Sequence, residues 1–534
     1  MNLRLAAVAG AAALVLGACG SGDADIRASA VDGQAPRAGG TLTFAVSSDA
    51  GCVDPQQVGS NDSIYSARQV VDSLTDQDPR SGKIVPWLAR SWKISPDNTT
   101  FTFTLRKGVT FSDGTPVDAA AVKANFDRAP ELGPRATLAI GYLSGYQGTR
   151  VVDPLTAEVR FEHPNAQFLQ ASSTFSLGLV SPATIAKTPD QRCTQGVIGS
   201  GPFILERYTQ NQSIRLKKRI GYAWGSSLWK KSGEAYLDGL TFTIVPESGV
   251  RVGSLQSGQV DAISSVGPQD EAAIESGPTR LQARPNPGVV FNLAVNNSRP
   301  LVADKAVRQA LSAAINRQEL VDTVLTKETE PATSILASTT PLYTDLSDRL
   351  TFDPEKAKRT LQAAGWVPGP DGIRTKNGRK LSLQVAWFAN LATNKSVLEL
   401  IQQQLKLVGV DLVLKEYPIA KIAEIQTAGD YDLSWGNVTR ADPDIARSLY
   451  STKLANFNRI PAGPLDPVLT QQAASSDPTA RAALVKRAQE LIVDNAYAIP
   501  VVELTTVLGI SNAVHDLAFE ASSRLQFHDT WKSR

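Results

Sequence analysis

The sequence predicts a mixed α/β fold of two or three domains, and three observations carry that prediction. Segments that alternate apolar and polar residues at a period of two recur along the chain, among them Thr41–Val46 and Thr100–Leu105. Between such segments lie stretches with apolar residues at helical spacing, as at Val307, Leu311, Ala314 and Ile315. The run from 381 to 416 places a helix between two strands, the order characteristic of α/β domains. After an N-terminal leader about 490 residues remain, enough for large cores. No internal repeat of solenoid period is visible.

The elements follow in chain order. Residues 39–46 form the first strand, and residues 47–55 follow its end. Residues 85–92 lead through the turn Ser95-Pro96-Asp97-Asn98 into the strand at 100–105. Phe111–Pro116 is a loop, and Asp118 is placed to cap a helix that carries Val122 and Phe126 on one face. A single helix is expected from Leu301 to Leu325. Asp353-Pro354-Glu355 opens the next, with Asp as cap and Pro in the first turn, and Gly365 stops it. Strands at 381–387 and 410–416 flank a helix from about 395 to 408.

The N-terminus reads as an export signal. Arg4 precedes an apolar run from Leu5 to Leu16 that is too short to remain as a membrane span. Residues 1–18 are therefore expected to be removed. Leu16-Gly17-Ala18-Cys19 resembles the lipobox of bacterial lipoproteins, which implies acylation of Cys19 and anchoring to the extracytoplasmic face of the cell membrane. Residues 19–40, rich in Gly, Ala, Asp and Pro, form a flexible tether.

Composition excludes several functions. A net charge of +2, with basic residues scattered among acids, gives no electrostatic basis for nucleic acid binding. With Cys19 assigned to the lipid, Cys52 and Cys193 remain in a compartment that permits disulfides, and they are expected to pair. His163, His515 and His528 are the only histidines and none stands at ligand spacing from another, so neither a metal centre nor a cofactor is expected. No nucleophile elbow or His-based triad is present.

A family resemblance gathers around ordered blocks. Ala89-Arg90-Ser91-Trp92, Thr100-Phe101-Thr102-Phe103, Val109-x-Phe111-x-Asp113-Gly114 and Gly199-Ser200-Gly201-Pro202-Phe203 come first. Asn292, Asp304, Val307-Arg308-Gln309-Ala310, Ile315-Asn316-Arg317 and Asp353-Pro354-Glu355-Lys356-Ala357 follow. Together they resemble the family 5 extracellular solute-binding proteins, the oligopeptide-, dipeptide- and nickel-binding components of ABC importers. The resemblance spans about residues 41–505 and implies a two-lobed periplasmic-binding-protein fold of the class II (cluster C) type with a hinge cleft. By analogy the first lobe comprises 41–285 and 506–534 with an inserted subdomain near 63–190, and the second comprises 286–505. Trp92 and Phe111 read as packing within the signature. The implied protein is a monomer that closes on its ligand and docks on an importer permease.

Peptide is the expected ligand. A peptide ammonium needs a carboxylate, and peptide-binding relatives carry an aspartate after a tryptophan and before an aspartate–proline pair. That pattern falls on Trp435 and Arg440-Ala441-Asp442-Pro443-Asp444, with Asp442 the first candidate and Asp444 the second. Asn437-Val438-Thr439-Arg440 departs from the family link, and Arg440 either pairs with Asp442 or receives a ligand carboxylate. The structural alternative makes Pro443 and its flanking aspartates a turn that caps a helix through Ile445 and Leu449. Trp435 and Trp387 either stack on ligand or fill the second lobe's core. Competing functions are a sugar, a metal chelate or another small molecule bound on the same fold, an exported glycan hydrolase using Asp442 and Asp444, and a surface lipoprotein that signals or adheres.

Overall fold

The computed structural model describes residues 35–533 apart from 389, 390, 392, 419, 420 and 455. The expected signal peptide, Cys19 and most of the expected tether lie outside the described residues. The tether's end is docked, since Gly39 N donates to Tyr236 O (2.8 Å) and Gly40 N to Asp238 Oδ2 (3.0 Å).

The first lobe is built on a seven-stranded sheet in the order 279–285, 505–511, 262–263, 41–46, 239–244, 213–218, 203–209. Thr41–Val46 lies inside it, parallel to both neighbours. Its alternation serves two cores. Leu42, Phe44 and Val46 pack with Phe242 and Phe527, while Ala45 faces Val252, Leu255 and Ile274 on the other side. Burial on both faces shields the Phe44–Val46 part of this strand from water.

The second lobe holds a five-stranded sheet in the order 411–417, 382–388, 433–439, 288–295, 498–502. Strands Ser382–Phe388 and Asp411–Tyr417 run parallel, joined by helix Asn394–Lys406, which buries Val397, Leu398, Ile401 and Leu405. The chain passes from the first sheet to the second between Pro285 and Gly288 and returns between Val502 and Thr505.

An antiparallel four-stranded sheet is inserted into the first lobe, in the order 89–94, 100–105, 156–161, 146–153. Its core centres on Phe168, with Phe101, Phe103, Phe126 and Phe161 around it at 4.7–6.2 Å between ring centroids. Asp118 caps helix Ala119–Arg128 by accepting from Ala121 N at 2.9 Å, and Val122, Phe126 and Phe111 are fully buried. The insert's core runs from Leu74 to Leu179, a narrower span than 63–190. Tyr65, Val70, Val71 and Val180 belong to the first lobe's core instead, because the chain enters and leaves the insert against the main sheet.

One expected element divides. The run Leu301–Leu325 forms two helices, Lys305–Ala314 and Arg317–Val324, with Ile315 extended between them. Two devices cause the break, one local and one distant: Asn316 Oδ1 accepts from Glu319 N (3.2 Å) as a new cap, and the buried Arg317 guanidinium donates to Pro500 O and Leu350 O at 2.8 Å each. Asp353 caps helix Pro354–Ala363, and Gly365 beyond its end has φ +85°.

Cys52 and Cys193 are joined, tying the segment after the first strand to helix Pro189–Gln195. Glycine turn Gly199–Gly201 lies against the backbone of Gln69 and Val70, where a side chain has no room.

Candidate ligand-binding site

Strand Leu433–Thr439 leads from the second lobe's core toward the opposite lobe. Among the described residues, only Leu433 and Ser434 pair with strand Ser382–Phe388, and Trp435 to Thr439 have no strand partner on that side. Trp435 is buried, donates Nε1–H to Asn394 Oδ1 (3.0 Å) and stacks on Phe291 with centroids 5.1 Å apart. Trp387 is buried in the same core. Over one face of the strand lies a cavity of about 150 Å³ lined by Asn292, Ser434, Gly436, Val438, Tyr450 and Phe457 among others.

The acidic candidates following this strand have partners within their own lobe. Asp442 is buried and receives Arg481 Nη2 at 2.7 Å and Nη1 at 3.3 Å, and its Oδ1 also accepts from Asp444 N at 2.8 Å. Burial alone would weaken the proton on Arg481, but Asp442 outweighs it and holds the guanidinium above its ordinary value. Asp444, fully buried, takes Arg447 Nε (2.8 Å) and Nη2 (2.6 Å), and also accepts from Gln472 Nε2. The turn reading of Pro443 agrees with helix Ile445–Tyr450, although no side chain caps that helix. Two carboxylates and two guanidinium groups thus form a neutral buried cluster.

Arg440 stands outside this cluster and does not pair with Asp442. Its side chain is buried and crosses to the inserted subdomain, where Nη1 donates to Gln167 Oε1 (3.2 Å) and the guanidinium sits 4.5 Å above the Tyr142 ring. Arg524, from the C-terminal segment of the first lobe, is likewise buried and donates Nη1–H to Asn61 Oδ1. Burial raises the Tyr142 phenol, the charges of Arg440 and Arg524 offset part of that rise, and Asp442 adds to it. Beside Asn61, Asp62 accepts from Ser47 N (2.9 Å), Ser48 N (3.0 Å) and Ser264 Oγ (2.7 Å), which pins the loop after the first strand next to Arg524. Where the chain crosses between lobes, Thr506 Oγ1 donates to Asn286 Oδ1 (2.7 Å) and Asn286 Nδ2 to Thr439 Oγ1 (3.4 Å).

The lobes meet around these groups. Gln77 Nε2 donates to Ala441 O (3.3 Å) and Ala166 N to Ala473 O (3.2 Å), so the insert rests on the second lobe. Among the described residues no group of three His, Cys, Asp or Glu is placed to hold a metal ion, and no helix is long and apolar enough to cross a membrane.

Residues 83–458 match the family described as bacterial extracellular solute-binding proteins, family 5. The chain belongs to that family. It is a solute-binding protein of the ABC-importer class. It is 28% identical over 482 residues to the glutathione-binding protein GsiB of Salmonella paratyphi A, covering 86% of this chain and 88% of that one. The structure of NikA from Brucella suis in complex with Fe(III)-EDTA superposes with a TM-score of 0.80 at 25% identity, over 92% of this chain and all of that one. The oligopeptide-binding protein AppA from Bacillus subtilis, in complex with a nonapeptide, superposes at 0.75 with 18% identity over 94% of this chain and 100% of its own. The solute-binding protein therefore has the family's two-lobed architecture.

Sequence reading found Arg440 and the aspartates, but not Tyr142, Arg481 or Arg524. None of these three lies in a motif. Arg524 reaches Asn61 from 463 residues along the chain, and no local spacing signals such a meeting.

Proposed function

We propose that this solute-binding protein captures a short peptide in the space between its lobes and delivers it to an ABC importer permease, acting as a monomer held on the membrane by acylated Cys19. The observation that carries the reading is the strand edge through Trp435–Thr439, which has no partner on one side among the described residues and leads into the polar interlobe surface at Arg440. An extended peptide can add to such an edge through main-chain hydrogen bonds, irrespective of its side chains. The relatives' names support the class, since glutathione and a nonapeptide are both peptides. NikA with Fe(III)-EDTA supports the second reading, a metal chelate bound on the same fold.

Binding selects the closed form because ligand touching both lobes favours only that state. Native mass spectrometry of freshly purified protein tests the proposal: a retained peptide mass supports it, and a retained non-peptide overturns the peptide assignment while leaving solute capture in place. Incubation with mixed peptides and glycans, followed by mass analysis, separates capture from hydrolysis, because any turnover sinks the capture reading. Cys19→Ser is expected to abolish partition of the mature protein into detergent phase, and unchanged partition refutes the anchor.

A further inference from the structure

One face of the first lobe's sheet, the face that carries Ala45, bears cations of a single sign at one end. Strand Ser213–Lys218 buries Ile214 and Leu216 and exposes Arg215 and Lys217, and the edge strand Phe203–Thr209 exposes Arg207. Arg207 stands directly opposite Arg215, and that row continues inward through Thr241 to Thr43. The next row on the same face runs Ile204, Lys217, Gly239, Thr41. Neither row contains an acid. Among the described residues the side chains of Arg207, Arg215 and Lys217 form no ion pair and no hydrogen bond. Acids beside the rows are engaged: Asp238 holds Lys218 Nζ (2.8 Å), and Asp261, which accepts from Thr43 N, holds Lys532 Nζ (2.7 Å). Glu206, the edge strand's own acid, sits in the bulge between Leu205 and Arg207. Like charges directly opposite weaken a sheet, and an edge strand guarded by charge has no need of such a pair. The arrangement therefore does not serve the fold.

The N-terminal segment joins the body at the same end of the sheet. Gly39 and Gly40 dock on Tyr236 and Asp238, and the next residue, Gly239, belongs to the Lys217 row. With neighbouring strands about 4.8 Å apart, Lys217 lies about 10 Å from Thr41, and the arginine pair is one row further along. Ile220, two residues past the strand, is 75% exposed, and Gly221 N beside it donates to Glu234 Oε1 (2.7 Å) in the segment that leads to Tyr236.

We propose that this corner of the first lobe rests on an anionic lipid surface, with Arg207, Arg215 and Lys217 against headgroup phosphates and Ile220 at the boundary with the acyl chains. This rests on the reading that Cys19 is acylated, because an anchored chain keeps the corner near the bilayer and a weak attraction then suffices. Each cation within a Debye length of a negatively charged membrane adds about fivefold in affinity. An exposed apolar side chain beside such cations buries itself in the interface. The whole chain carries a net charge of only +2, so the preference comes from the local arrangement and not from the protein's overall charge. A first lobe held against the membrane also meets a permease of the same bilayer in fewer orientations, which shortens the search for the docked one.

The test is co-sedimentation of the mature chain carrying Cys19→Ser with vesicles of phosphatidylcholine alone or of an equal mixture with phosphatidylglycerol, at low ionic strength. Removing the acyl group lets the assay read the surface itself. Partition onto the anionic vesicles is expected to be at least about tenfold stronger, and the preference is expected to vanish at high salt. Arg207→Ser/Arg215→Thr/Lys217→Thr is expected to bring the two vesicle types within about twofold, and each single substitution to weaken anionic binding by about fivefold. The single variants carry the test if the triple one does not fold. Arg379→Ser/Lys406→Ser, which removes two exposed cations of the second lobe, is expected to change partition by less than about twofold. Equal partition of the otherwise unsubstituted chain onto both vesicles overturns the proposal, as does an anionic preference that survives the triple substitution or falls as far in the second-lobe variant. Absence of acylation shows instead as loss of detergent-phase partition by the chain with Cys19 intact, a readout independent of the vesicles. No vesicle preference, with weaker capture of the triple variant by the importer permease, assigns the face to a protein and overturns the lipid surface.

Discussion

Asp442→Ala separates the two roles that this residue can have. In the structure its carboxylate carries a bidentate contact with Arg481 at 2.7 and 3.3 Å and accepts from Asp444 N at 2.8 Å. The side chains of Asp442 and Arg481 are only 7% and 16% exposed, so removing the acid strands a cation with little access to water. Breaking a buried pair from one side costs about 3–5 kcal/mol, whereas an exposed pair would cost about 0–1 kcal/mol. The neighbouring Asp444–Arg447 pair remains, so the local charge changes from zero to positive with nothing to absorb it. With a urea dependence of about 3 kcal/mol/M or more for a chain this large, the midpoint of the second lobe's transition falls by about 1 M. Asp442→Ala/Arg481→Met is expected to recover about half of that loss, because no orphan charge is left. Ligand affinity of Asp442→Ala, measured well below its unfolding transition, is expected within about threefold of wild type. An unchanged urea midpoint together with a loss of affinity beyond about tenfold would refute this reasoning and return Asp442 to the ligand.

Three further perturbations address the frame. Replacing Cys52 and Cys193 by Ser opens a loop of sequence separation 141, and up to about 5 kcal/mol of stability is expected to go with it; identical urea curves with and without reductant contradict this. The Asp76 carboxyl is pushed up to about 6, first by burial and then by the charge of Glu520. A folded value above the unfolded one means that its contribution to stability is full below about pH 4 and is lost as pH rises through about 6. Asp76→Asn should therefore gain on the wild type by about 3 kcal/mol between pH 4 and 7, and a difference that stays constant with pH counts against the assignment. At Gly199 an added Cβ would lie 1.8 Å from Val70 O, whereas at Gly249 it meets nothing within 4 Å. Gly199→Ala should lose about 3 kcal/mol or more, and Gly249→Ala, inside helix Ser248–Gln256, should gain up to about 1 kcal/mol; equal thermal midpoints for the two variants contradict the close approach.

Much of the fold was legible because its signals are local. Thr100–Leu105 alternates because one face of its sheet meets the aromatic core around Phe168, and Asp118 and Asp353 cap their helices through bonds spanning three residues. The division of Leu301–Leu325 was misread for a related reason. Apolar periodicity continues through Ile315, while the break depends on Arg317 reaching Pro500 O, a contact that no window of sequence contains.

The sequence by itself determined most of the elements, the family and the motif Arg440–Asp444. It did so because periodicity, capping and turn chemistry act over a few residues. Which charges in that motif are already matched was decided only by the tertiary structure. Helix Pro478–Asp494 brings Arg481 to Asp442 from 39 residues on, and the C-terminal segment brings Arg524 to Asn61 from 463 residues away. Coulomb energy depends on distance and burial, neither of which spacing in sequence records. So a motif that reads as acidic leaves a positive charge, Arg440, facing the opposite lobe.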